Sequence, residues 1–485
     1  MLSGPRLLSA AETSGEGAVA ILGAGIAGLT AAYRLERAGV PWILYEAGTR
    51  LGGRILTRRN FNADGMFCEL GGELVDTGHS ALLGLASELG VPLEPLGESK
   101  AHAMRNLYAF GGAVYTDSQL VEAVQPLLAR VRADLFEIFG ERPRRMVTYR
   151  EPANSARFDR MTLSEYLDSL SGVDAWVRRA VEMAYVTEYG LDAGRQSALN
   201  LLMLIGTKIE PGAKEFELFG ESDEAMRVAG GNSRLVEALA ARLGIKEHGT
   251  ARYMQGHALV KISDAGHKLD LTFATLGGAK RRSFSRVICT IPFSVLRGVD
   301  GVMGLDMSPR KKASIKEMGY ATNSKLMLGF SGRYWRRRGG HGPANGGIFA
   351  DWGSQSFWET SRLQKGARGI LTNYTGGAVG AARSLSDVST SLADLETLFP
   401  GIAKASDGNK ALMNWSKNPR NLGSYICPTP GEYARHYGAA GETECGGRLL
   451  FAGEHASPDG AGYMNGGVDS GNVAVKNLLA SVARH

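Results

Sequence analysis

"AVAILGAGIAGLTAAYRLERAGVPWILYE" (residues 18–46) decides the fold of this chain. The apolar run 18–22 predicts a strand, the periodicity of 28–38 predicts a helix, and "VPWILYE" predicts a second strand. Together they make a β-α-β unit, which is the building block of parallel sheets. The stretch therefore predicts an α/β fold.

The turn between strand and helix carries three glycines, Gly23, Gly25 and Gly28, in the spacing GxGxxG. The first makes the tight turn, the second lets a pyrophosphate approach the backbone, and the third lets helix and strand pack closely. The phosphates would lie at the helix N-terminus beside Ile26 and Ala27, where free N–H groups and the helix dipole favour negative charge. This pattern predicts a dinucleotide site.

The residues that follow the second strand extend this site. Glu46 ends the strand with Ala47 beside it, where a carboxylate can accept hydrogen bonds from ribose hydroxyls. Gly52 and Gly53 allow further close backbone approach, and Arg54 adds a cation for the diphosphate.

Composition sets the broader class. The 485 residues are 44% hydrophobic and 21% charged, as in a globular protein of two or three domain-sized units. No apolar run reaches the roughly 18 residues of a membrane span. The first 17 residues lack the apolar core of a secretory signal, which predicts a loose tail and, with no leader visible, a cytoplasmic location.

Cysteine spacing and charge exclude other classes of site. The four cysteines are scattered without a CxxC pair, which argues against a disulfide framework or a zinc site: Cys68, Cys289, Cys427 and Cys445. The formal net charge is +6, and the densest basic cluster is "RYWRRR" (333–338). A solvated face explains this cluster better than nucleic-acid binding, which we do not expect.

A lysine stands in an apolar strand pattern in "YATNSKLMLGF" (320–330). As a strand, Lys325 shares one face with Met327 and Gly329, while the other face is largely apolar. One interpretation is a solvated edge strand that lysine protects from unwanted pairing. The other is a buried lysine with a function.

Several blocks of the chain, in order, resemble the flavin amine oxidase family, which includes monoamine oxidases, polyamine oxidases and L-amino acid oxidases. The first block is the doublet Gly52-Gly53 with Arg54. The others are "FCELGGELVDTGH" (67–79), "MRVAGGNSRLVEALAARLG" (226–244), "RVICTIPFSVLR" (286–297), "LLFAGEH" and "GYMNGGVDSGNVAVKNLL". The resemblance runs from about residue 19 to residue 479.

The resemblance implies FAD as the cofactor and assigns residues to it. By this resemblance Gly71, Gly72 and Glu73 lie beside the flavin, Gly453 and Glu454 near its ribityl and phosphate groups, and the helix after Tyr463, Met464 and Asn465 points at its ring. Leu259, Val260 and Trp415 are carried over as further contacts, although Trp415 could equally be a core residue. Family members that bond FAD through a cysteine place it where this chain has Ser424, and Cys427 does not fit, so the resemblance implies non-covalent FAD.

The resemblance also answers the question about Lys325. In this family a lysine on a strand before an F–x(3–4)–[FY]–W sequence hydrogen-bonds through water to flavin N5, and "NSKLMLGFSGRYW" (323–335) matches that placement. Burial would favour the neutral amine of such a lysine. We therefore prefer a catalytic role for Lys325 over that of an edge guard.

Two tyrosines match the aromatic walls that the family places above the flavin. Tyr425 lies in "WSKNPRNLGSYICPTP" (415–430) and Tyr463 in "GYMNGG", and both are predicted to be catalytic and to contact substrate. Their electron-rich faces suit an amine. The alternative is that both are core tyrosines with bonded hydroxyls.

The strand around Gly71 bears on the substrate class. L-amino acid oxidases carry an arginine shortly after the glycine pair, but this chain has Leu74, Val75 and Asp76 there. This argues against α-amino acids unless another arginine reaches the site. Asp76 aligns with an acid that polyamine oxidases use to attract ammonium groups, and Glu188 in "AYVTEYGLD" (184–192) is a second candidate. Either acid could instead be a solvated or capping carboxylate.

These patterns predict two interleaved domains. Residues 17–98, 226–305 and 412–485 would form a doubly wound α/β FAD-binding domain. Residues 99–225, which are mostly helical in pattern, and 306–411, which mix strands and a helix, would form an α+β substrate domain. The ligand would then lie between the domains.

The predicted function is an FAD-dependent oxidase of primary or secondary amines, with polyamines or diamines favoured. It would yield an imine, then an aldehyde or ketone, and hydrogen peroxide. An L-amino acid oxidase is the alternative enzyme, and a flavin-binding protein without amine chemistry is the alternative of another class. The expected partners are a small amine and O2, in a monomer or homodimer.

Overall fold

The computed structural model describes residues 17–99, 104–209, 212–213, 215–216, 218–220, 222–245, 252–337 and 341–482. The strands are β1 Val19–Leu22, β2 Trp42–Glu46, β3 Thr57–Arg58, β4 Cys68–Glu69, β5 Leu93–Pro95, β6 Arg105–Phe110, β7 Ala113–Thr116, β8 Met226–Val228, β9 Tyr253–Gln255, β10 Ala258–Asp264, β11 Leu269–Thr275, β12 Gly278–Phe284, β13 Val287–Cys289, β14 Ser324–Phe330, β15 Ala344–Ala350, β16 Ser356–Glu359, β17 Gly369–Thr375, β18 Ser406–Asn414 and β19 Leu449–Phe451. The predicted N-terminal tail lies outside the described residues, apart from Gly17.

The helices alternate with these strands along the chain. They are α1 Ile26–Arg37, α2 Ser80–Leu89, α3 Asp117–Ala123, α4 Gln125–Phe139, α5 Ala156–Arg160, α6 Leu163–Asp168, α7 Ala175–Tyr189, α8 Ala198–Leu204, α9 Ser233–Arg242, α10 Phe293–Leu296, α11 Pro309–Glu317, α12 Gly377–Ala382, α13 Val388–Leu398, α14 Glu432–Arg435 and α15 Met464–Val482. None of the helices in the described part of the chain is both long and apolar enough to cross a membrane.

A five-stranded parallel sheet has the order β19-β13-β1-β2-β9. The predicted β-α-β unit is present as β1, α1 and β2. Alternate residues of β1 enter two separate cores. Ile21 packs with the helices α1, α9 and α15 on one face, whereas Ala20 faces the antiparallel sheet of β10, β11 and β12 on the other. The α/β fold class is confirmed.

The five strands of this sheet come from widely separated parts of the sequence. β1 and β2 lie within 17–98, β9 and β13 within 226–305, and β19 within 412–485. All five therefore fall in the stretches predicted for the FAD-binding domain. The domain boundaries themselves stay a prediction.

A second, seven-stranded sheet has the order β18-β14-β17-β16-β15-β6-β7. Most of its strands come from 306–414, but β6 and β7 belong to the region whose pattern indicated mostly helix. The helical pattern of 118–140 forms two helices, α3 and α4, that meet at Val124 just before Pro126. Proline restricts the residue before it and lacks an N–H, which favours a helix boundary there.

Lys325 lies on β14, an interior strand of this sheet. β14 pairs with β17 on one side and β18 on the other, and all seven of its residues are buried. The edge-guard interpretation is therefore wrong, because the strand has no free edge to protect. Leu326 and Leu328 enter one apolar cluster and Met327 another, as the alternation predicts.

The basic cluster at 333–338 is not a fully solvated face. Arg333 and Arg336 form ion pairs with the buried carboxylate of Glu359, at 3.1 and 2.7 Å. Trp335 donates its indole N–H to the same carboxylate at 2.7 Å. Both arginines pair with Glu359, which is 24 residues from Trp335 in the sequence. The density of charges within 333–338 therefore could not indicate that these arginines are partly buried.

Candidate active site

A cavity of about 1360 Å³ opens at the carboxyl ends of the parallel strands and continues to the seven-stranded sheet. It exceeds the roughly 300–1,000 Å³ of most small-molecule pockets. Carboxyl ends of parallel strands are the usual ligand side of α/β sheets. The cavity is therefore the candidate site for a large cofactor together with a substrate.

The first wall of the cavity is the turn from β1 into α1. Gly23 has φ +104°, a value that L side chains rarely adopt. A Cβ on Gly28 would lie 2.0 Å from the carbonyl oxygen of Gly23, so helix and strand can approach only because residue 28 has no side chain. This contact explains why Gly28 supports the cradle without lining it. The free N–H groups at the start of α1 suit a phosphate.

Glu46 is held in place at the end of β2. Its Oε2 accepts a hydrogen bond from the Ala24 N–H at 2.9 Å, and its Oε1 accepts one from the Gly48 N–H at 2.6 Å. A carboxylate oxygen can accept more than one hydrogen bond, so both oxygens keep capacity for ribose hydroxyls. The geometry fits the predicted role of Glu46, which stays a prediction.

Arg54 and Glu454 join separate blocks of the sequence at the cavity wall. Arg54 Nη1 donates to Glu454 Oε1 at 2.8 Å and to the Ser424 carbonyl at 2.6 Å. The Gly462 N–H donates to Glu454 Oε2 at 3.0 Å. The guanidinium of Arg54 is partly engaged by this carboxylate, and its predicted role as a cation for the diphosphate stays a prediction.

Lys325 forms a buried ion pair with Glu73. Its Nζ lies 2.9 Å from Glu73 Oε2 and donates to the Gly71 carbonyl at 2.9 Å. The rings of Trp358 and Tyr374 have their centroids 5.0 and 6.0 Å from Nζ, within range of cation–π attraction. Gly71 and Glu73 thus meet the lysine although they are far from it in the chain, and they lie in an irregular segment after β4 rather than on the strand that the sequence predicted.

The charge state of Glu73 differs from what burial alone suggests. Burial raises the pKa of Glu73, but the adjacent Lys325 ammonium outweighs burial and holds that pKa below its usual value. Glu73 is therefore a carboxylate beside Lys325 Nζ. The neutral amine expected at Lys325 stays a prediction.

Tyr425 and Tyr463, which we call the tyrosine pair, both line the cavity. Tyr425 donates to the main-chain carbonyl of Glu188, and its hydroxyl lies 2.8 Å from that of Tyr374. The Tyr463 hydroxyl lies 3.1 Å from Glu188 Oε1 and 3.3 Å from Ser222 Oγ. Both hydroxyls are bonded, yet both residues also face the cavity, so core packing alone does not account for them.

Three acids face the cavity near the tyrosine pair: Asp76, Glu188 and Glu224. Burial raises the pKa of Glu188 to about 7, with the Tyr463 hydrogen bond opposing and Asp76 adding to the rise. Burial also raises the pKa of Glu224 to about 8, and Glu188 and Asp76 add to it.

Asp76 is fixed by its neighbours. Its Oδ1 accepts from the Glu224 N–H at 3.0 Å, and its own N–H donates to His79 Nδ1 at 3.0 Å. Burial lowers the pKa of His79, although the Asp76 carboxylate opposes this. The His79 ring in turn packs 4.9 Å from that of Tyr463.

Two residues at this site escaped the sequence analysis. Glu224 follows an irregular segment and has φ +44°, so no periodicity points to it. Arg362 lies just after β16, lines the cavity and donates from Nε to the Glu359 carbonyl at 3.2 Å. Burial lowers its pKa, with Glu224 opposing. Neither belongs to a motif, and only the fold brings them to the cavity.

Most residues predicted from the sequence do line the cavity. They are Gly23, Gly25, Ile26, Ala27, Glu46, Ala47, Gly52, Gly53, Arg54, Gly71, Gly72, Glu73, Asp76, Glu188, Leu259, Lys325, Trp415, Tyr425, Gly453, Glu454, Tyr463 and Met464. Trp415 also donates its indole N–H to the Leu70 carbonyl at 3.0 Å.

Two predicted cofactor contacts lie elsewhere. Val260 is 43% exposed at a bulge in β10, and its carbonyl accepts from the Asp300 N–H at 3.0 Å. Asn465 does not line the cavity, and its Oδ1 accepts from the Leu82 N–H at 3.0 Å, which ties α15 to α2. Each is adjacent in sequence to a residue that does line the cavity, Leu259 and Met464 respectively, and its own side chain points away from it.

All four cysteines belong to the described part of the chain, and none of them lines the cavity. Cys427 is buried behind Ile426, with its Sγ 3.6 Å from Asn200 Nδ2. Ser424, which occupies the position of a flavin-bonding cysteine, donates its hydroxyl to Asn323 Oδ1 at 2.7 Å.

Known proteins place this cavity in context. The solved structure of wild-type putrescine oxidase bound to putrescine has a TM-score of 0.76 to this chain at 21% identity, covering 96% of this chain and 99% of that one. Cyclohexylamine oxidase from Brevibacterium oxydans IH-35A also has a TM-score of 0.76, at 18% identity, covering 96% and 99%. At these identities the likeness establishes the fold.

A relative by sequence is the flavin-dependent L-tryptophan oxidase RebO of Lentzea aerocolonigenes. It is 26% identical over 491 residues, which cover 96% of this chain and 98% of RebO. The family model for flavin containing amine oxidoreductases matches residues 26–479, nearly the whole chain. With its parallel sheet, its phosphate cradle and this match, the chain belongs to the flavin-containing amine oxidoreductase family, whose cofactor is a flavin.

Proposed function

We propose that this chain is an FAD-dependent oxidase of primary or secondary amines, with diamines or polyamines as the favoured substrates. The observation that carries this proposal is the cluster of three carboxyl groups, Asp76, Glu188 and Glu224, in the same cavity as the tyrosine pair. Carboxylates concentrate cations in a low-dielectric cleft. The products are an imine that water hydrolyses to an aldehyde or ketone, and hydrogen peroxide formed from O2.

FAD would be held without a covalent bond. The N-terminus of α1 suits the diphosphate, Glu46 suits the ribose, and the start of α15 at Met464 is positioned to favour negative charge on the flavin ring. The absence of any cysteine from the cavity lining supports the non-covalent attachment. When bound, the flavin takes up a hydride equivalent from the carbon that bears the amine.

The chain's own groups orient the substrate. The rings of Tyr425 and Tyr463 hold the reacting amine by contacts worth about 0.5–2 kcal/mol. Asp76 attracts a second ammonium group of a diamine or polyamine, and this ammonium in turn favours the ionised form of Glu224, which then pairs with it. Lys325, held by Glu73, supplies an N–H donor at the cavity wall, where it would bind water and assist the reaction with oxygen.

An L-amino acid oxidase is the second candidate, and Arg362 is the observation that favours it. A guanidinium can bind a carboxylate through two parallel hydrogen bonds. Arg362 lies far in the sequence from the glycine pair Gly71-Gly72, but it lines the cavity. RebO, which is named for L-tryptophan, supports the same class. Asp76 and Glu188 interact with each other and Glu188 contacts both tyrosines, whereas no described contact joins Arg362 to them, so a substrate of net positive charge is still favoured.

The test is anaerobic reduction of the bound flavin. Purified protein is mixed separately with putrescine, spermidine, tyramine and a panel of L-amino acids, and the flavin absorbance is followed. We expect the amines to bleach it and putrescine or spermidine to bind tightest. Bleaching by amino acids alone would replace the proposal with the second candidate, and no bleaching by any compound would point to a flavin-binding protein without this chemistry.

Two variants make the substrate class sharper. Glu224→Gln should weaken putrescine binding about tenfold, or 1.4 kcal/mol, and tyramine binding much less, because tyramine has no second ammonium. Arg362→Gln is the matched variant for the other class. It should leave amine reduction intact if amines are the substrates, but abolish reduction by amino acids if a carboxylate is bound.

A further inference from the structure

One residue, Glu188, contacts both members of the tyrosine pair. It is the penultimate residue of α7, and its main-chain carbonyl accepts the hydrogen of the Tyr425 hydroxyl. Its side-chain Oε1 lies 3.1 Å from the Tyr463 hydroxyl. A single helix end therefore holds both rings, but through two chemically different groups.

The direction of the hydrogen bonds separates the roles of the two tyrosines. Tyr425 gives its only hydrogen to the Glu188 carbonyl, so Tyr374 must donate across the 2.8 Å between the two phenols. The hydroxyl of Tyr425 is thereby satisfied. Tyr463 instead has two acceptors in reach of its single hydrogen, the Glu188 carboxylate at 3.1 Å, which can keep a proton, and Ser222 Oγ at 3.3 Å, and its oxygen lone pairs stay available to the cavity.

A substrate amine arrives in the wrong protonation state for oxidation. An alkyl ammonium has a pKa near that of lysine, about 10.4, so it is charged at neutral pH. An ammonium has no lone pair with which to stabilise the developing cation as the neighbouring C–H bond breaks. The site therefore needs an acceptor for one proton after the substrate has bound.

We propose that Glu188 is this acceptor, acting through the hydroxyl of Tyr463. This inference rests on the proposed function. The ammonium donates one proton to the Tyr463 oxygen, and the original phenol proton moves to Glu188 Oε1. The ammonium becomes a neutral amine, the carboxylate becomes a carboxylic acid, and no electrons pass between groups. Because Glu188 acts through Tyr463, it is a positioning residue rather than a catalytic one.

The electrostatics of the site support this step. The transfer turns a buried ammonium and carboxylate into two neutral groups, and a low-dielectric site favours neutral groups. The pKa of Glu188, raised to about 7, reduces the difference between the pKa of this acceptor and that of the substrate ammonium. The titratable groups around Glu188 are the acids Asp76 and Glu224, and the tyrosines Tyr185, Tyr189, Tyr374, Tyr425 and Tyr463.

Three other acids of the cavity, Glu73, Asp76 and Glu224, are less suited to the role. Glu73 is held as a carboxylate by its ion pair with Lys325. Asp76 accepts from the Glu224 N–H and lies 3.3 Å from His79 Nε2. No described hydrogen bond links the Glu224 side chain to the tyrosine pair, so Glu224 is the matched control.

The experiment measures how the limiting rate of anaerobic flavin reduction by putrescine depends on pH, between about pH 6 and about pH 10. In the FAD-loaded wild type we expect the rate to rise as Glu188 ionises, with a midpoint near 7, and then to level off. In Glu188→Gln the midpoint of the rising limb should shift to higher pH, toward the pKa of the substrate ammonium. The rate near neutral pH should fall about 100-fold and recover at high pH.

Three further variants distinguish proton transfer from mere support of the rings. Tyr463→Phe removes the hydroxyl that relays the proton, so it should shift the rising limb of the pH profile as Glu188→Gln does. It also tests the inference if Glu188→Gln does not fold. Glu188→Asp should restore part of the wild-type profile. Glu224→Gln should weaken putrescine binding but leave the midpoint of the pH–rate profile unchanged. Bound-flavin absorbance and thermal midpoints verify that each variant is folded and loaded.

The outcomes are separable. An unshifted midpoint in Glu188→Gln or Tyr463→Phe, with the rate lowered equally at every pH, would overturn the inference while leaving the proposed function intact. If no amine reduces the wild-type flavin, the proposed function fails, and the inference fails with it.

Discussion

Lys325 and Glu73 form an ion pair whose side chains retain only 8% and 5% of their exposure. The pair lies where β14 meets the irregular segment after β4, and Thr360 donates to the second oxygen of Glu73 at 3.1 Å. A lysine placed in this way has its charge compensated in the folded state. Removing this lysine is therefore expected to change both the reaction of the flavin with oxygen and the stability of the folded protein.

Lys325→Met keeps an unbranched side chain only one atom shorter and removes the charge. We expect the free energy of unfolding to fall by about 3–5 kcal/mol, because Glu73 is left buried without its counter-charge. FAD should still bind, but reoxidation of the reduced flavin by oxygen should slow, as stopped-flow absorbance can measure. The double variant Glu73→Gln/Lys325→Met should recover most of the stability but not the reoxidation rate. Wild-type reoxidation in Lys325→Met would show that the lysine has no part in oxygen chemistry.

At the scale of elements, the cradle depends on how closely α1 approaches β1. The Gly28 Cα sits against the Gly23 carbonyl, and an added Cβ would lie 2.0 Å from that oxygen, which is backbone and cannot rotate away. Any side chain at residue 28 must push the helix outward. The N–H groups that face the cavity would move with it.

Gly28→Ala should weaken FAD binding by more than about tenfold, because displaced N–H donors no longer converge on the phosphate. The flavin content of the purified variant and its affinity for added FAD are the measurements. Gly84→Ala is the matched control, since Gly84 lies within α2 and a Cβ there meets nothing within 4 Å. Full flavin content in Gly28→Ala would mean that the helix can shift without disturbing the site.

Arg227 connects β8 to the segment after β16. It is 3% exposed, and its Nη1 and Nη2 donate to the carbonyls of Thr360 and Arg362, at 2.9 and 2.5 Å. Its Nε donates to Glu94 at 3.0 Å. This one guanidinium fixes the backbone that presents Thr360 to Glu73 and Arg362 to the cavity.

Arg227→Met should raise the KM for putrescine by about tenfold or more, since small displacements of positioning groups are costly. Flavin content should change little, because the segment lies on the substrate side. Steady-state kinetics measure the effect, and Arg234→Met, at an exposed position on α9, is the control. A KM equal to that of the wild type would show that the segment after β16 holds its place without Arg227.

At the scale of the whole molecule, the cavity lies between the parallel sheet and the seven-stranded sheet. Its walls come from both, with Gly23 and Glu46 on one side and Lys325 and Tyr374 on the other. A cofactor that fills this space contacts both sheets at once. Binding should therefore stabilise the protein as a unit.

Removal of FAD should lower the thermal midpoint, and added FAD should restore it, with a stabilisation that grows with the logarithm of the FAD concentration. At an FAD concentration 100 times Kd the stabilisation is about 2.7 kcal/mol. Denaturing the loaded protein with acid should release all the flavin into solution, because no cysteine lines the cavity. Flavin that stays with the precipitated chain would contradict non-covalent binding.

The local parts of this structure could be predicted from the sequence alone. The β-α-β unit, the roles of Gly23 and Gly28, and the strand Ser324–Phe330 follow from periodicity and glycine spacing, which are set by neighbours along the chain. The order of the family's blocks extended the prediction to most of the cavity wall. Leu259 lines the cavity as predicted, but the adjacent Val260 does not, because one residue along a strand reverses the direction of the side chain.

Only the tertiary structure decided which charges meet. Lys325 and Glu73 are 252 residues apart, and Tyr463 and Glu188 are 275 apart, so no spacing rule relates them. Glu224 and Arg362 belong to no motif and reach the cavity only because irregular segments end there. Sequence patterns report local geometry, whereas the ionisation of a buried group depends on every charge and dipole around it in space. The protonation of Glu73 and Glu188 was for that reason determined by the fold.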